Sequence, residues 1–207
     1  ALFIRETKTI VLSDIHFGKS TSLNKNGNQI PPYDIKETIE KLKKIICYYK
    51  PIKIISLGDS FHDKFSILNM GNDDLTEIKN ITNNIKFLWI TGNHDEKIIG
   101  KEKVGGKFYE SFHQDNFYFR HIKTHSKILK KFEFSGHFHP KVSIKINNSR
   151  YYYKCFLVSE NFCILPSFGH YTGGLDVNSN AFKKIITEKA DLLILGKNKI
   201  LQKKYLS

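Results

Sequence analysis

Along the first ninety residues, short and almost uninterrupted apolar runs alternate with longer segments whose apolar residues recur at helical spacing. Residues 8–14 (KTIVLSD), 52–59 (IKIISLGD) and 85–93 (IKFLWITGN) are short and β-rich, and read as buried strands. Residues 35–50 and 72–83 read as amphipathic helices, the first stopped by Pro51. Strand and helix in alternation predict a parallel sheet, and ligand sites of such sheets lie beyond the carboxyl ends of the strands.

The pattern then changes. Residues 116–122, 131–138, 141–146, 150–158, 161–167, 191–195 and 199–205 are mostly β-like, and several are separated by turn residues at 147–149, 159–161 and 196–198. No linker, repeat or low-complexity segment interrupts the 207 residues, so one α/β domain with a second, mixed or antiparallel sheet is expected over 1–207.

Composition removes several alternatives. Hydrophobic residues at 40% and charged residues at 26% belong to a globular chain and not a disordered one. No apolar run is long enough to span a bilayer. Arg5, Glu6 and Lys8 break the first apolar stretch, which therefore reads as a strand and not a signal peptide. Cys47, Cys155 and Cys163 form no CxxC pair, and an odd count points to buried free thiols in a reducing, cytoplasmic setting. The formal charge of +13 favours polyanions at long range. Arginine occurs only at 5, 120 and 150, so this charge is almost all lysine, a skew that an AT-rich genome also produces.

The chemistry sits at the strand ends. The first strand delivers Asp14 and His16, the second Asp59 followed by His62 and Asp63, and the third Asn93, His94 and Asp95. His121 follows the strand-like NFYFR, and SGHFHP supplies His137 and His139. In an extended strand the two histidines of HFH share one face while Phe138 points away into apolar packing. Polar groups repeated where apolar strands end should converge on one crevice as a metal site. Asp, His and Asn donors without thiolate suit Mn²⁺, Fe or Zn²⁺ better than Mg²⁺ or a structural zinc, and seven donors with one bridging carboxylate suit two adjacent ions. His125 competes with His121 for the isolated position; His121 is preferred because it directly ends its strand. His113 reads as a surface residue. The GKS at 18–20 is no P-loop, because position 13 is Ser where that motif needs Gly.

In this order, D-x-H, G-D, G-N-H-D, H and G-H-x-H resemble the calcineurin-like metallophosphoesterases. The resemblance implies an α/β two-sheet β-sandwich flanked by helices (α/β/β/α). It places Asp14, His16 and His139 on one metal, Asn93, His121 and His137 on the other, and Asp59 between both. A bridging water, its pKa lowered from 15.7 toward about 7, would be the nucleophile. His94 would stabilise the phosphoryl group or protonate the leaving oxygen, oriented by Asp63 or Asp95, with His62 orienting a ligand or touching substrate.

A narrower resemblance rests on DIHFGKSTSLNKNGNQIPP and the late LPSFGHYTGG. These are similar to the bacterial ligase-associated metallophosphoesterases, DNA damage response endonucleases linked with a helicase and a ligase. It implies a DNA nuclease; Lys19, Lys25 and their polar neighbours read as a flexible loop beside the metals that can meet a phosphate backbone, and His170 either lines the pocket or is solvated. RYYYK (150–154) either stacks single-stranded nucleic acid or packs half-buried against a neighbouring sheet. Two other functions fit the same residues: a small-molecule phosphoesterase taking a nucleotide or pyrophosphate, and a phosphate-binding subunit of a repair complex. Exposed strands of the second sheet could pair in a homodimer.

Overall fold

Alternate residues of each central strand enter different cores, and this parity sets the layers. In the computed structural model, which describes residues 1–25, 27–124 and 131–205, the first sheet runs in the order β1 (Leu2–Ile4), β2 (Thr9–Leu12), β3 (Lys53–Leu57), β4 (Lys86–Ile90), β5 (Lys107–Tyr109). β1 is antiparallel to β2, and the other pairings are parallel. Ile10, Leu12, Ile54, Phe87 and Trp89 point to one face. There they meet Ile35, Ile39 and Leu42 of α2 (Asp34–Tyr49) and Ile78 of α3 (Asn72–Asn84). Val11, Ile55, Leu57, Leu88 and Ile90 point to the other face and meet the second sheet.

That second sheet contains β6 (Ser111–Gln114), β7 (Phe117–Arg120), β8 (Phe132–Ser135), β9 (Pro140–Ile146), β10 (Ser149–Val158), β11 (Phe162–Ile164), β12 (Leu175–Asp176), β13 (Ala190–Leu195) and β14 (Ile200–Tyr205). Phe119, Phe134, Phe156 and Cys163 fill the space between the sheets. Cys155, Leu157, Phe162 and Ile164 face outward against Phe182 of α5 (Asn180–Ile185) and Ile186. The result is the expected helix–sheet–sheet–helix layering.

Several local readings change. Residues 19–25, expected as a flexible loop, form a helical segment, α1 (Lys19–Lys25), tied at its start by Ser20 to the buried Asp34 carboxylate. β5, β6, α5 and α4 (Lys101–Val104) carry too few periodic residues to be seen in sequence. Cys47 is exposed on α2, so only Cys155 and Cys163 are buried thiols. These two face opposite sides of the second sheet, since Cys163 pairs with Val158, and burial pushes both up to about 12. Among the described residues no helix is long and apolar enough to cross a membrane.

Between the sheets, aliphatic side chains of the first meet aromatic side chains of the second. The Phe119 and Phe134 rings stack at 5.3 Å and 10° on adjacent parallel strands. Phe134→Ala is therefore expected to destabilise the protein by about 3–5 kcal/mol. The change should appear as a lower urea midpoint at unchanged slope.

Candidate metal centre

Five of the seven residues named for metal ligation adopt a left-handed backbone: Asp14 (φ 54°), His16 (52°), Asp59 (47°), His137 (68°) and His139 (45°). Such conformations are unfavourable for residues with a Cβ and recur at functional sites. They explain what happens to the two D/H-x-H motifs. His137 and His139 do not share the face of an extended strand; each follows a turn of the chain, and the two rings part. The His137 ring joins Asp59 and His121, while the His139 ring joins Asp14 and His16. Phe138 between them packs on Phe182 at 5.7 Å, as an apolar residue there should.

Backbone pairing holds these turns in place. The Asp14 N–H donates to Gly58 O (3.1 Å), the His16 N–H to Asp59 O (2.9 Å), and the Gly136 N–H to His121 O (2.9 Å). The His137 N–H reaches the Asp14 carboxylate at 3.1 and 3.2 Å, further fixed by the Ser13 hydroxyl. Two glycines are required by space. A Cβ on Gly58 (φ +85°) would lie 2.4 Å from Nδ1 of His121, and one on Gly136 would lie 1.7 Å from the Ser13 Oγ.

Asp59 lies between the two clusters. Its Oδ1 accepts the His94 N–H at 2.9 Å, and its Oδ2 is 3.4 Å from Nε2 of His121 and 4.0 Å from Nε2 of His16. Nδ1–H of His121 donates to Leu57 O (2.8 Å), so Nε2 is the atom turned inward, 3.1 Å from Nδ1 of His137. On the other side, Nε2 of His139 is 2.9 Å from Oδ1 of Asp14.

Buried Nε2 atoms of His16 and His139 have no hydrogen-bond partner. Unsatisfied buried donors or acceptors are costly, and here both atoms face carboxylates without forming a hydrogen bond, His16 at 4.0 Å from Asp59 Oδ2 and His139 at 2.9 Å from Asp14 Oδ1, a donor arrangement that a cation would satisfy. The oxygen and imidazole donors fit a divalent ion, with Asp14, His16 and His139 in one set and Asp59, His121 and His137 in the other. Asn93 is exposed on the loop after β4 and lines a cleft of about 650 Å³ beside His121, together with Lys101, Phe108 and Arg120.

The remaining candidates divide. His94 and His62 stack at 5.2 Å and form a third histidine group with His16, whose Nδ1 is 3.4 Å from that of His62. Neither Asp63 nor Asp95 orients His94; its Nδ1–H donates to the His62 carbonyl at 2.7 Å. The Asp95 carboxylate is occupied by the Ser60 and Gly92 N–H groups, and Asp63 Oδ1 by Phe65 N–H and the Ser66 hydroxyl. Lys19 is half-buried and close enough to His62 for its charge to disfavour the imidazolium, behind the larger effect of burial. His170 is exposed and its ring packs on Tyr171, not on the histidine cluster. His125 lies outside the described residues. Sequence reasoning missed Ser13 and the Leu57 and His62 carbonyls; main-chain oxygens leave no residue-type signal, and a serine before Asp14 has many ordinary uses.

Compared with known proteins, the calcineurin-like phosphoesterase family profile matches residues 7–169. The chain belongs to that family, whose members hold divalent metal ions. Its fold is similar to that of Pseudomonas putida nuclease MPE, at TM-score 0.72 and 19% identity, with 93% of this chain and 90% of that one covered. The E. coli phosphoesterase Yfce aligns at TM-score 0.45 and 11% identity, over 89% of this chain and 87% of its own. No curated protein matches.

In the metal-free protein two histidines shift in opposite senses. Burial, opposed by the Asp14 and Asp59 charges, lowers His16 to about 3. Burial also disfavours the charged His121, but the Asp59 hydrogen bond and the Asp14 and Asp59 charges outweigh it and raise His121 to about 9. His16 stays neutral in the fold, so its contribution to stability falls as pH drops from about 6.5 toward 3. His121 stays charged, so its contribution is complete below about 6.5 and is lost as pH rises toward 9. With EDTA, the melting temperature should therefore peak near pH 6.5 as far as these two groups decide it. Saturating Mn²⁺ should remove the alkaline decline, because the ion takes the place of the His121 proton. Gly58→Ala, which displaces the His121 ring, should weaken Mn²⁺ binding at least tenfold by calorimetry.

Proposed function

We propose that this chain is a two-metal phosphodiesterase acting on nucleic acid, as a DNA nuclease in repair alongside a helicase and a ligase. The observation that carries this reading is the pair of adjacent three-residue ligand sets, Asp14, His16 and His139 beside Asp59, His121 and His137, with Asp59 also 4.0 Å from His16 and an open cleft alongside. Two divalent ions held side by side by these sets would be suited to displacement at phosphorus. When bound, the divalent ions activate water and neutralise charge on the phosphoryl group.

The chain's own residues supply the rest. Asp14, His16 and His139 would hold one cation, and Asn93, His121 and His137 the other, with Asp59 shared. The Leu57 carbonyl keeps His121 with Nε2 toward the centre. His94 is exposed, so its ring meets a substrate arriving from solvent. With Nδ1–H held on the His62 carbonyl, a protonated His94 has Nε2–H free to give to a leaving oxygen. His62, 3.4 Å from His16, would steady that ligand from behind.

An open approach favours a polymer over a small molecule. Asn93 and His94 are exposed, and Lys101 and Arg120 in the cleft beside His121 carry charge suited to phosphates. The similar fold of a solved nuclease, and the resemblance to ligase-associated endonucleases, support DNA as the polymer. Mn²⁺ is the ion expected, with Fe or Zn²⁺ as the other candidates for this donor set.

The test is Mn²⁺-dependent cleavage of end-labelled oligonucleotides, run beside bis-p-nitrophenyl phosphate. Both activities should vanish with EDTA and in Asp59→Asn. His94→Ala should lower kcat about 10²–10⁴-fold while Mn²⁺ still binds. Turnover of the small diester with intact oligonucleotides would reject the nuclease and leave a small-molecule phosphoesterase. Failure of both, with metal bound, would reject catalysis altogether.

A further inference from the structure

The β9–β10 hairpin begins one residue after His139 and turns at Asn147 and Asn148. Its register pairs Lys154 with Lys141, Tyr152 with Ser143 and Arg150 with Lys145. Cross-strand partners share a face, and so do alternate residues along a strand. One face of the hairpin therefore carries Lys141, Ser143, Lys145, Arg150, Tyr152 and Lys154. The other carries Val142, Ile144 and Tyr153, which pack into the core against α5.

The direction of the polar face is set by Lys154. Its Nζ donates to Ser167 O (2.7 Å) and Gly169 O (3.4 Å), and the Gly169 N–H in turn donates to Asp14 O (3.2 Å). The face thus starts at the metal centre and runs outward. From Lys154 to Arg150 it extends about 13 Å at the usual strand rise. Along this line exposure increases: Lys154 is partly covered, Tyr152 is 54% exposed, and Lys145 and Arg150 are exposed. β12 covers only Pro140 and Lys141 of β9, so beyond Lys141 no strand borders the outer edge among the described residues. Asp176, the register partner of Lys141 on β12, accepts from both the main-chain and the side-chain N–H of Asn178.

An exposed tyrosine needs a reason when it sits on a face with cations and not with apolar neighbours. Lys141 Nζ lies over one face of the Tyr152 ring at 4.7 Å from its centroid, and the residue as a whole is more than half exposed. Cations that track a phosphate backbone, interleaved with a ring that a base can stack on, are the elements of single-strand binding. We propose that this hairpin face is the track along which single-stranded nucleic acid leaves the metal centre, with Tyr152 stacking a base and Lys145 and Arg150 meeting phosphates. The inference rests on the nuclease reading and adds to it a substrate form and a path. Base-paired strands have no free ring face to offer Tyr152, so duplex should bind the track less well.

The test measures binding and cleavage separately. Full-length protein with Mn²⁺ is titrated into a fluorescent, cleavage-resistant phosphorothioate oligo(dT) and into a duplex of equal length, and anisotropy is read. Tyr152→Ala should weaken single-strand binding about tenfold, with Tyr152→Phe retaining it. Lys145→Ala with Arg150→Ala should lower the slope of log affinity against log salt by about 1.4, at about 0.7 per phosphate contact. The ratio of oligonucleotide to small-diester turnover should fall in the same variants, with melting temperatures near wild type. Unchanged affinity and salt slope in the folded variants would overturn the track, as would tighter binding of duplex. Variant-sensitive binding without any cleavage by the wild type would sustain the track and reject the nuclease. Absence of oligonucleotide binding would overturn both.

Discussion

Asp59 makes contact with each part of the centre through a different atom. Its main-chain carbonyl accepts from His16, its Oδ1 from the His94 main chain, and its Oδ2 faces His121. The carboxyl is held well below the ordinary carboxylate range despite burial, because the His121 hydrogen bond and charge and the His94 N–H favour the anion. An anion fixed this way can only sit where cations or N–H groups surround it. The strand-end loops of both sheets are arranged around that requirement. Gly92 closes the packing behind it, since a Cβ there would lie 2.3 Å from Asp59 N and Oδ1.

The layered fold serves this constraint. Parallel β2, β3 and β4 end together, and so do β7 and β8, also parallel to one another. Phe119 and Phe134, two residues before His121 and Gly136, stack on each other within the second sheet and belong to the core between the sheets. Stability of the apolar layer and geometry of the polar loops are thus coupled through a few residues of separation along the chain. Loosening the inter-sheet core would be felt first at His121, whose ring fits against Gly58 with no room for a methyl group.

Much of this was legible in the sequence because the strands are pure. The alternation in IKIISL and KFLWI places every second residue in a different core, and that is a period-two signal. The ligand residues were legible because carboxylates and imidazoles recur where those runs end. What could not be read was backbone conformation. HFH looks like a strand pair because the residue types say nothing of φ, yet left-handed turns at His137 and His139 send the rings to different clusters. The orienting group of His94 was sought among side chains and lies in the main chain of His62. Residues 19–25 read as a loop because one leucine among polar residues gives no helical face; a tertiary contact, Ser20 with Asp34, supplies what local pattern lacks.

The left-handed residues also explain why the loops are tied in pairs. Each such conformation costs on the order of 1 kcal/mol and persists only where surroundings over-determine it. Here the surroundings are other strained loops: the first strand's turn is held by main-chain bonds to Gly58 and Asp59, and the SGHFHP turn by bonds to Asp14 and His121. Phe168 and Gly169 then donate to Ser13 O and Asp14 O from the far side, and Lys41 and Lys154 fasten that segment by its carbonyls. A lysine on the hairpin face is thereby one link removed from a metal-ligand candidate. The same side chain that braces the centre begins the basic face leading away from it, so one element both holds the geometry of the site and sets the direction of the cationic face beside it.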